Sequence, residues 1–72
     1  MGVSVLRRKS WALLTGAVRS DLYLRVLLIK LCDMRHKGLI EAIVLSTWEG
    51  EIDRHPNLRD ELHKLGILLV ER

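Results

Sequence analysis

The stretch EAIVLSTW at residues 41–48 decides the fold, because its apolar run Ala-Ile-Val-Leu has the length of a short strand. Ile and Val favour strands, and a run without alternation is typical of a strand that is buried on both faces. We interpret it as a buried strand that ends near Ser46. Two runs of the same character, WALLTGAV at residues 11–18 and ILLV at residues 67–70, lie before and after it along the chain.

The connection between the first two runs predicts a long helix. Ser20 or Asp21 can cap its N-terminus, residues 22–36 are rich in the helix formers Leu, Arg and Lys, and Gly38 can end it in the left-handed conformation. Apolar side chains occupy most of the circumference of this helix, more than a three-stranded sheet covers. We therefore expect a second copy of the chain or another protein to bind this face.

The connection between the second and third runs predicts a second helix. Asp53 can cap it, Pro56 suits its first turn, where a missing N–H costs nothing, and Gly66 ends it. One apolar stripe is formed at helical spacing by Leu58, Leu62 and Leu65.

The order strand, helix, strand, helix, strand predicts an α/β fold, a βαβαβ unit with a three-stranded parallel sheet. We expect strands near residues 11–16, 41–47 and 67–71 in the order 3-2-1. Residues 1–10, which show no periodicity, are interpreted as a lead-in. Residues 11–72 then form a Rossmann-like half domain of the nucleotide-binding kind, an incomplete domain by itself.

Composition excludes several classes of protein. The chain has 72 residues and a single cysteine, Cys32, so neither a disulfide framework nor a four-thiolate zinc site can stabilise it. Apolar residues make up 49% and charged residues 29%, which argues against disorder. No apolar stretch has the ~18 residues of a membrane span, and no secretion signal is recognisable. We expect a cytoplasmic protein, either free or peripheral to the inner membrane.

The net charge of +3 is unevenly distributed, because residues 1–40 hold eight Lys and Arg and two acids and residues 41–72 hold four and seven, and Arg7-Arg8-Lys9 is the only basic run. A solvated basic N-terminus is the simpler interpretation, and nucleic-acid binding is the weaker alternative, since only three aromatic residues are available for stacking on bases. The three histidines are scattered without metal-ligand spacing, and Cys32 has no neighbouring activating group in the sequence. Neither a glycine-rich dinucleotide motif nor a P-loop is present. No catalytic residue and no metal ligand is predicted.

The candidate ligand site follows from the topology, because ligands of open parallel sheets bind beyond the carboxyl ends of the strands. Glycine there permits close backbone approach, hydroxyls can hydrogen-bond a ligand, and a carboxylate can accept from a ribose or base. The tryptophan of this segment is either a core anchor or a wall of the crevice. Each residue alone also fits a turn, a strand end or a solvated acid. The candidate nucleotide-binding residues are Gly16, Ala17, Ser46, Thr47, Trp48 and Glu49.

The segment IVLSTWEGE at residues 43–51 resembles the WavE-type lipopolysaccharide-synthesis family of bacterial, glycosyltransferase-like proteins. Members begin with a strand ending in a Gly-Pro-like turn, followed by a helix and a strand ending in Ser-Thr-Trp, an acid and a glycine. ALLTGAV at residues 12–18 is similar to the first strand, with Ala17 where the family favours proline. The resemblance covers roughly residues 11–72.

The resemblance implies a GT-A-like half domain that binds a nucleotide-sugar donor weakly, in envelope polysaccharide synthesis. The chain ends before any Asp-x-Asp-like site, so the divalent metal of the full-length family has no site here and no cofactor is expected. We expect the chain to be a fragment or the product of a truncated reading frame, and to be inactive alone. The alternative is a small non-enzymatic α/β interaction module that uses the apolar helix at residues 22–36.

Overall fold

The computed structural model describes residues 2–6, with Leu6 by its backbone alone, and residues 10–72. Four strands form one mixed sheet in the order β1-β2-β3-β4. The α/β class is therefore confirmed, but the sheet is neither three-stranded nor wholly parallel. The elements, in chain order, are β1 (Gly2–Leu6), β2 (Trp11–Thr15), α1 (Asp21–His36), β3 (Ala42–Thr47), a 3-10 helix (Ile52–Arg54), α2 (Leu58–Lys64) and β4 (Leu68–Glu71).

Strand β1 was not expected, because residues 1–10 were interpreted as a lead-in. It pairs with β2 in antiparallel register, from Gly2 opposite Thr15 to Leu6 opposite Trp11. Its sequence GVSVL alternates apolar and polar residues over only five positions, which is too short a signal to separate a strand from a tail. The run Arg7-Arg8-Lys9 lies outside the described residues.

The three predicted strands are present as β2, β3 and β4, and their neighbour order is confirmed. β2 pairs with β3 and β3 with β4, both in parallel register, with Leu13, Val44 and Leu68 opposite one another in one row. Each parallel pair is joined by a helical connection, which supplies the long crossover that parallel pairing requires.

The first helix is confirmed closely. α1 runs from Asp21 to His36, and the side-chain oxygen of Ser20 accepts a hydrogen bond from the N–H of Tyr23 at 3.2 Å. Gly38 follows the C-terminus with a φ of 78°, a left-handed conformation that glycine adopts without strain.

The start of the second helix differs from the prediction. α2 begins only at Leu58, and its N-cap is Asn57, in the left-handed conformation without a side-chain capping bond. Asp53 lies in the preceding 3-10 helix, and its carboxylate binds the guanidinium of Arg59 instead of capping amides. Pro56 precedes the helix, outside its first turn. The Asp53 carboxylate, which the local sequence assigned to the helix cap, thus forms an ion pair with Arg59, six residues later in the chain.

Both helices pack on the same face of the sheet. The Arg25 guanidinium binds the Glu61 carboxylate, and Nη2 of Arg35 donates to the carbonyl oxygen of Leu65 at 2.5 Å, so α1 and α2 are in direct contact. Their buried leucines join the inward side chains of β2 and β3 in one core. That core consists of Ala12, Leu14, Val18, Leu24, Leu28, Leu31, Ile40, Ile43, Leu45, Ile52, Leu58, Leu62 and Ile67.

The opposite face of the sheet carries no described helix. Side chains alternate along a strand, so the residues that point away from the helices are those between the core positions. The open sheet face is defined here as Leu13, Val44, Leu68 and Val70, none of which belongs to the helix-side core. β3 is nevertheless buried on both faces, as its unbroken apolar run predicts, because Val44 and Ser46 on this side are only 9% exposed; on the edge strand β4, by contrast, Leu68 is 48% and Val70 46% exposed.

A second apolar surface lies on the far side of α1. We call Leu22, Val26 and Ile29 the outer stripe; they recur one helical turn apart and point away from the core. Leu22 is 70% exposed, Ile29 69% and Val26 43%, and Tyr23 beside them is also exposed. The expectation that the sheet leaves part of this helix uncovered is confirmed for these residues.

Candidate ligand site at the carboxyl edge of the sheet

The carboxyl ends of β2, β3 and β4 meet at one edge of the sheet, and backbone hydrogen bonds join the segments that follow them. The N–H of Gly16 donates to the carbonyl oxygen of Ser46 at 3.2 Å. The N–H of Arg72 donates to the carbonyl of Thr47, and the N–H of Glu49 to the carbonyl of Arg72, both at 2.9 Å. The segments that follow β2, β3 and β4 are thus brought together at one edge.

The turn after β2 depends on its glycine. Gly16 has a φ of 118°, which a residue with a side chain rarely adopts, and this lets the chain leave the sheet directly after Thr15. Ala17 is half-buried in this turn. A pocket of about 200 Å³ opens beside it and is lined by Ala17, Val18, Arg19, Ser20, Tyr23 and Leu24.

Ser46 and Thr47 point to opposite faces of the sheet. Ser46 lies on the open side in one row with Thr15 and Val70, and only 9% of it is exposed. Thr47 lies under the helices at 0% exposure, and its Oγ1 has no hydrogen-bond partner among the described residues. A ligand outside the edge therefore does not reach the Thr47 hydroxyl, although the sequence grouped it with Ser46.

Trp48 and Glu49 are the exposed side chains of this edge. Trp48 is 49% exposed, which favours the crevice wall over the core anchor among the two roles weighed from the sequence. The guanidinium carbon of Arg72 lies 4.5 Å from the centroid of the Trp48 ring, a cation–π contact that fixes one face of the indole. The Glu49 carboxylate is solvated and free to accept hydrogen bonds.

Glu71, at the end of β4, is occupied by an ion-pair network. Arg59 Nη2 lies 2.7 Å from Glu71 Oε1 and 3.2 Å from Asp53 Oδ1. The hydrogen bonds that the guanidinium donates to Glu71 first, and to Asp53 second, raise the pKa of Arg59 above its ordinary value. These ion pairs hold the Glu71 carboxylate against Arg59 of α2.

A histidine that the sequence did not single out connects two loops of this edge. Nε2 of His55 lies 3.0 Å from the carbonyl oxygen of Val18, which joins the loop after β2 to the segment before α2. The two residues are 37 positions apart. Local sequence carries no signal for such a contact.

A separate apolar groove of about 400 Å³ lies between α1 and α2. Its walls include Leu28, Ile29 and the half-buried thiol of Cys32, and the Arg25–Glu61 ion pair closes one end. The hydrogen bond that Arg25 donates to the Glu61 carboxylate is the main cause that raises the pKa of Arg25. Arg35 Nη2 is 3.8 Å from the Cys32 sulfur.

The described ranges contain no group of three or more His, Cys, Asp or Glu residues placed to hold a metal ion. The residues present therefore do not fit the divalent metal implied by the resemblance, and no step is assigned to it. Neither α1 nor α2 is long and apolar enough to cross a bilayer.

Comparison with known protein families, curated proteins and solved structures finds no match to this chain. The WavE-type resemblance thus depends on Ser46, Thr47, Trp48, Glu49 and Gly50, together with the strand at residues 12–18. This resemblance by itself does not establish an activity.

Proposed function

We propose that this chain is a nucleotide-sugar-binding half domain of the glycosyltransferase-like kind, which holds the nucleoside at the carboxyl edge of its sheet. The observation that carries the proposal is the exposed indole of Trp48, which directly follows β3 at the carboxyl edge of the sheet. An accessible aromatic face beside an exposed carboxylate is suited to a base and a ribose.

Each edge residue has a distinct role in this proposal. The base stacks on the accessible part of Trp48, whose other face contacts Arg72. Glu49 accepts from a ribose hydroxyl, and the backbone of Gly16 and Ala17 leaves room for the base. Ser46 contributes through its backbone and the exposed fraction of its hydroxyl, whereas the Thr47 side chain takes no part because it is buried.

Binding by this edge alone is weak. A neutral hydrogen bond contributes only about 1 kcal/mol net, so we expect an affinity of about 1 mM, or ~4 kcal/mol. The described residues offer no acid–base pair and no metal cluster at the edge, and we assign no sugar transfer to this chain by itself.

The test is an NMR titration of the ¹⁵N-labelled chain with uridine, guanosine and cytidine diphosphates. The two indole N–H signals report from opposite ends of the sheet, because Trp11 begins β2 and Trp48 follows β3. We expect the Trp48 signal and the backbone signals of residues 15–18 and 46–50 to shift, while the Trp11 signal stays constant.

A matched pair of variants makes the test specific. Glu49→Ala weakens the shifts, whereas Glu41→Ala, which removes an equally exposed carboxylate just before β3, leaves them unchanged. Equal effects of both variants, or shifts along residues 19–37 that grow with phosphate number and vanish in salt, would contradict a site at this edge.

A second candidate function, a protein-interaction module, is favoured by a different observation. The outer stripe of α1 exposes apolar side chains that no described element covers. A module of this kind binds no nucleotide, so a titration without shifts at Trp48 decides in its favour.

A further inference from the structure

The apolar groove between α1 and α2 is elongated, because its walls extend along both helices. On α1 the lining residues run from Arg25 to Cys32, and on the α2 side they run from Leu58 to Leu65. Each wall thus covers seven positions, or about 10.5 Å of helix. The volume of about 400 Å³ lies within the usual range of ligand pockets.

The surface of this groove is mainly aliphatic. Leu28 and Leu58 are buried at its base, whereas Ile29 and Leu65 are exposed at its rims. A hydrocarbon gains affinity in such a place, since each further methylene group that leaves water raises the binding constant about four-fold. An elongated aliphatic groove therefore favours an alkyl chain over a compact polar ligand.

The Arg25 end of the groove is unsuited to an acidic group. The Arg25 guanidinium binds the Glu61 carboxylate and lies 3.7 Å from Oδ2 of Asp21. One cation between two carboxylates leaves this end with a net negative charge, which repels a further carboxylate.

The opposite end carries a guanidinium that lacks a carboxylate partner. Nη2 of Arg35 lies 3.8 Å from Sγ of Cys32 and donates to the carbonyl oxygen of Leu65 at 2.5 Å, and both of these residues line the groove. Nη1 donates to the carbonyl oxygen of Gly66 at 3.5 Å. No ion pair joins Arg35 to an acidic side chain in the described part of the chain. A guanidinium has five N–H donors, so some remain for an acidic group.

We propose that the groove between α1 and α2 binds a medium-chain fatty acid, with its alkyl chain between the two helices and its carboxylate on Arg35. The aliphatic walls take the chain, and the head group supplies the negative charge that Arg35 lacks among the described residues. Charge fixes the direction of the ligand, because the other end of the groove repels a carboxylate. This proposal is independent of the nucleotide site at the carboxyl edge of the sheet.

Cys32 makes occupancy of the groove measurable, because it lines the groove and is the single thiol of the chain. Its alkylation by N-ethylmaleimide can be followed by the mass of the intact protein. We expect saturating decanoate to slow this alkylation about ten-fold or more, with half of the effect at about 100 μM, an ordinary affinity for a ligand of this size. In the urea-unfolded chain, decanoate gives no protection.

Ligands of equal chain length separate the head group from the alkyl chain in the unmodified protein. We expect decan-1-ol to protect Cys32 about ten-fold more weakly than decanoate, and decylammonium more weakly still, because Arg35 repels a cation. Octanoate, which is shorter by two methylene groups, should bind about 15-fold more weakly than decanoate. Equal protection by decanoate and decylammonium would contradict a carboxylate site.

A matched pair of variants locates the head group. Arg35→Gln should lower the affinity for decanoate about ten-fold, to that of decan-1-ol, and leave the affinity for decan-1-ol unchanged. Lys30→Gln, which removes an exposed cation that the helical repeat places on the opposite side of α1, should change neither. Arg35→Lys retains the charge and should retain part of the affinity. Thermal melts first establish that the variants are folded, because Arg35 also binds the last carbonyls of α2.

Three results would overturn the proposal. The first is an alkylation rate that about 1 mM decanoate leaves unchanged. The second is an equal loss of decanoate affinity in Arg35→Gln and Lys30→Gln, which would indicate a general effect of charge. The third is an alkylation rate that falls with protein concentration in the absence of ligand, which would show that a second copy fills the groove. None of these results affects the Trp48 titration, so the two proposals fail separately.

Discussion

His55 and Val18 are joined by a hydrogen bond between Nε2 of the imidazole and the main-chain carbonyl, at 3.0 Å. A carbonyl oxygen can only accept, so the proton of the neutral imidazole must lie on Nε2. We expect a long-range ¹H–¹⁵N spectrum of the histidine ring to show this tautomer, whereas an exchanging mixture of tautomers would contradict the contact.

Replacing this histidine should lower stability modestly. His55→Ala removes the donor and leaves the Val18 carbonyl without it, which costs about 1 kcal/mol, or roughly 4–8 °C in melting temperature for a domain of this size. His55→Gln retains an N–H donor and should recover part of the loss. His63→Ala, an exposed histidine on α2, serves as the control and should change the melting temperature little.

Replacing Thr47, unlike replacing His55, should not lower the stability of the protein. Its Oγ1 is fully buried without a hydrogen-bond partner in the described ranges, so Thr47→Val removes an unsatisfied polar atom at nearly constant shape. We expect urea denaturation to show stability unchanged or raised by about 1 kcal/mol. Thr15→Val, on the less buried side of the sheet, should have no comparable effect, and a clear loss at Thr47 would reveal a partner for its hydroxyl.

The core should be sensitive at α2. Leu58 is 1% exposed, and Leu58→Ala creates a cavity that costs about 2–5 kcal/mol, a large share of the 5–15 kcal/mol that stabilises a small domain. Leu65→Ala, at the C-cap of the same helix and 41% exposed, should cost less. Similar denaturation midpoints for the two variants would show that the packing of α2 is different.

Gly38 should resist substitution for a conformational reason. Its φ of 78° is left-handed, and an added Cβ would meet nothing within 4 Å. The change in unfolding free energy of Gly38→Ala therefore reports the cost of this backbone conformation alone. We expect a loss of about 1–2 kcal/mol for Gly38→Ala and a smaller one for Gly38→Asn, since asparagine tolerates this conformation better. Equal stability of all three proteins in thermal melts would argue against a left-handed end of α1.

Several elements were predictable because their signals are local. The unbroken apolar runs marked β2, β3 and β4, and Ser20 and Gly38 marked the ends of α1. What escaped prediction depends on contacts between distant residues. Asp53 was assigned a capping role from its position, but its carboxylate pairs with Arg59, and the helix then starts five residues later at Leu58.

The candidate site shows the same division. The positions of Gly16, Trp48 and Glu49 at one edge followed from the strand order alone. The accessibility of the hydroxyls did not, because Thr47 lies beneath the helices and Ser46 on the other side of the sheet. When an apolar run shows no alternation, the sequence does not indicate which of its residues point to which face of the sheet.

The sheet order β1-β2-β3-β4 is identical to the order of the strands along the chain. Every strand therefore pairs only with the strands that precede and follow it. The β1–β2 hairpin closes a short loop and can form quickly, whereas each parallel pair must close across a helical crossover, which is slower. The hairpin of β1 and β2 can form first, and each helix and strand can then add to an existing edge as the ribosome releases it. Assembly can thus proceed vectorially, from the N-terminus onward, during synthesis.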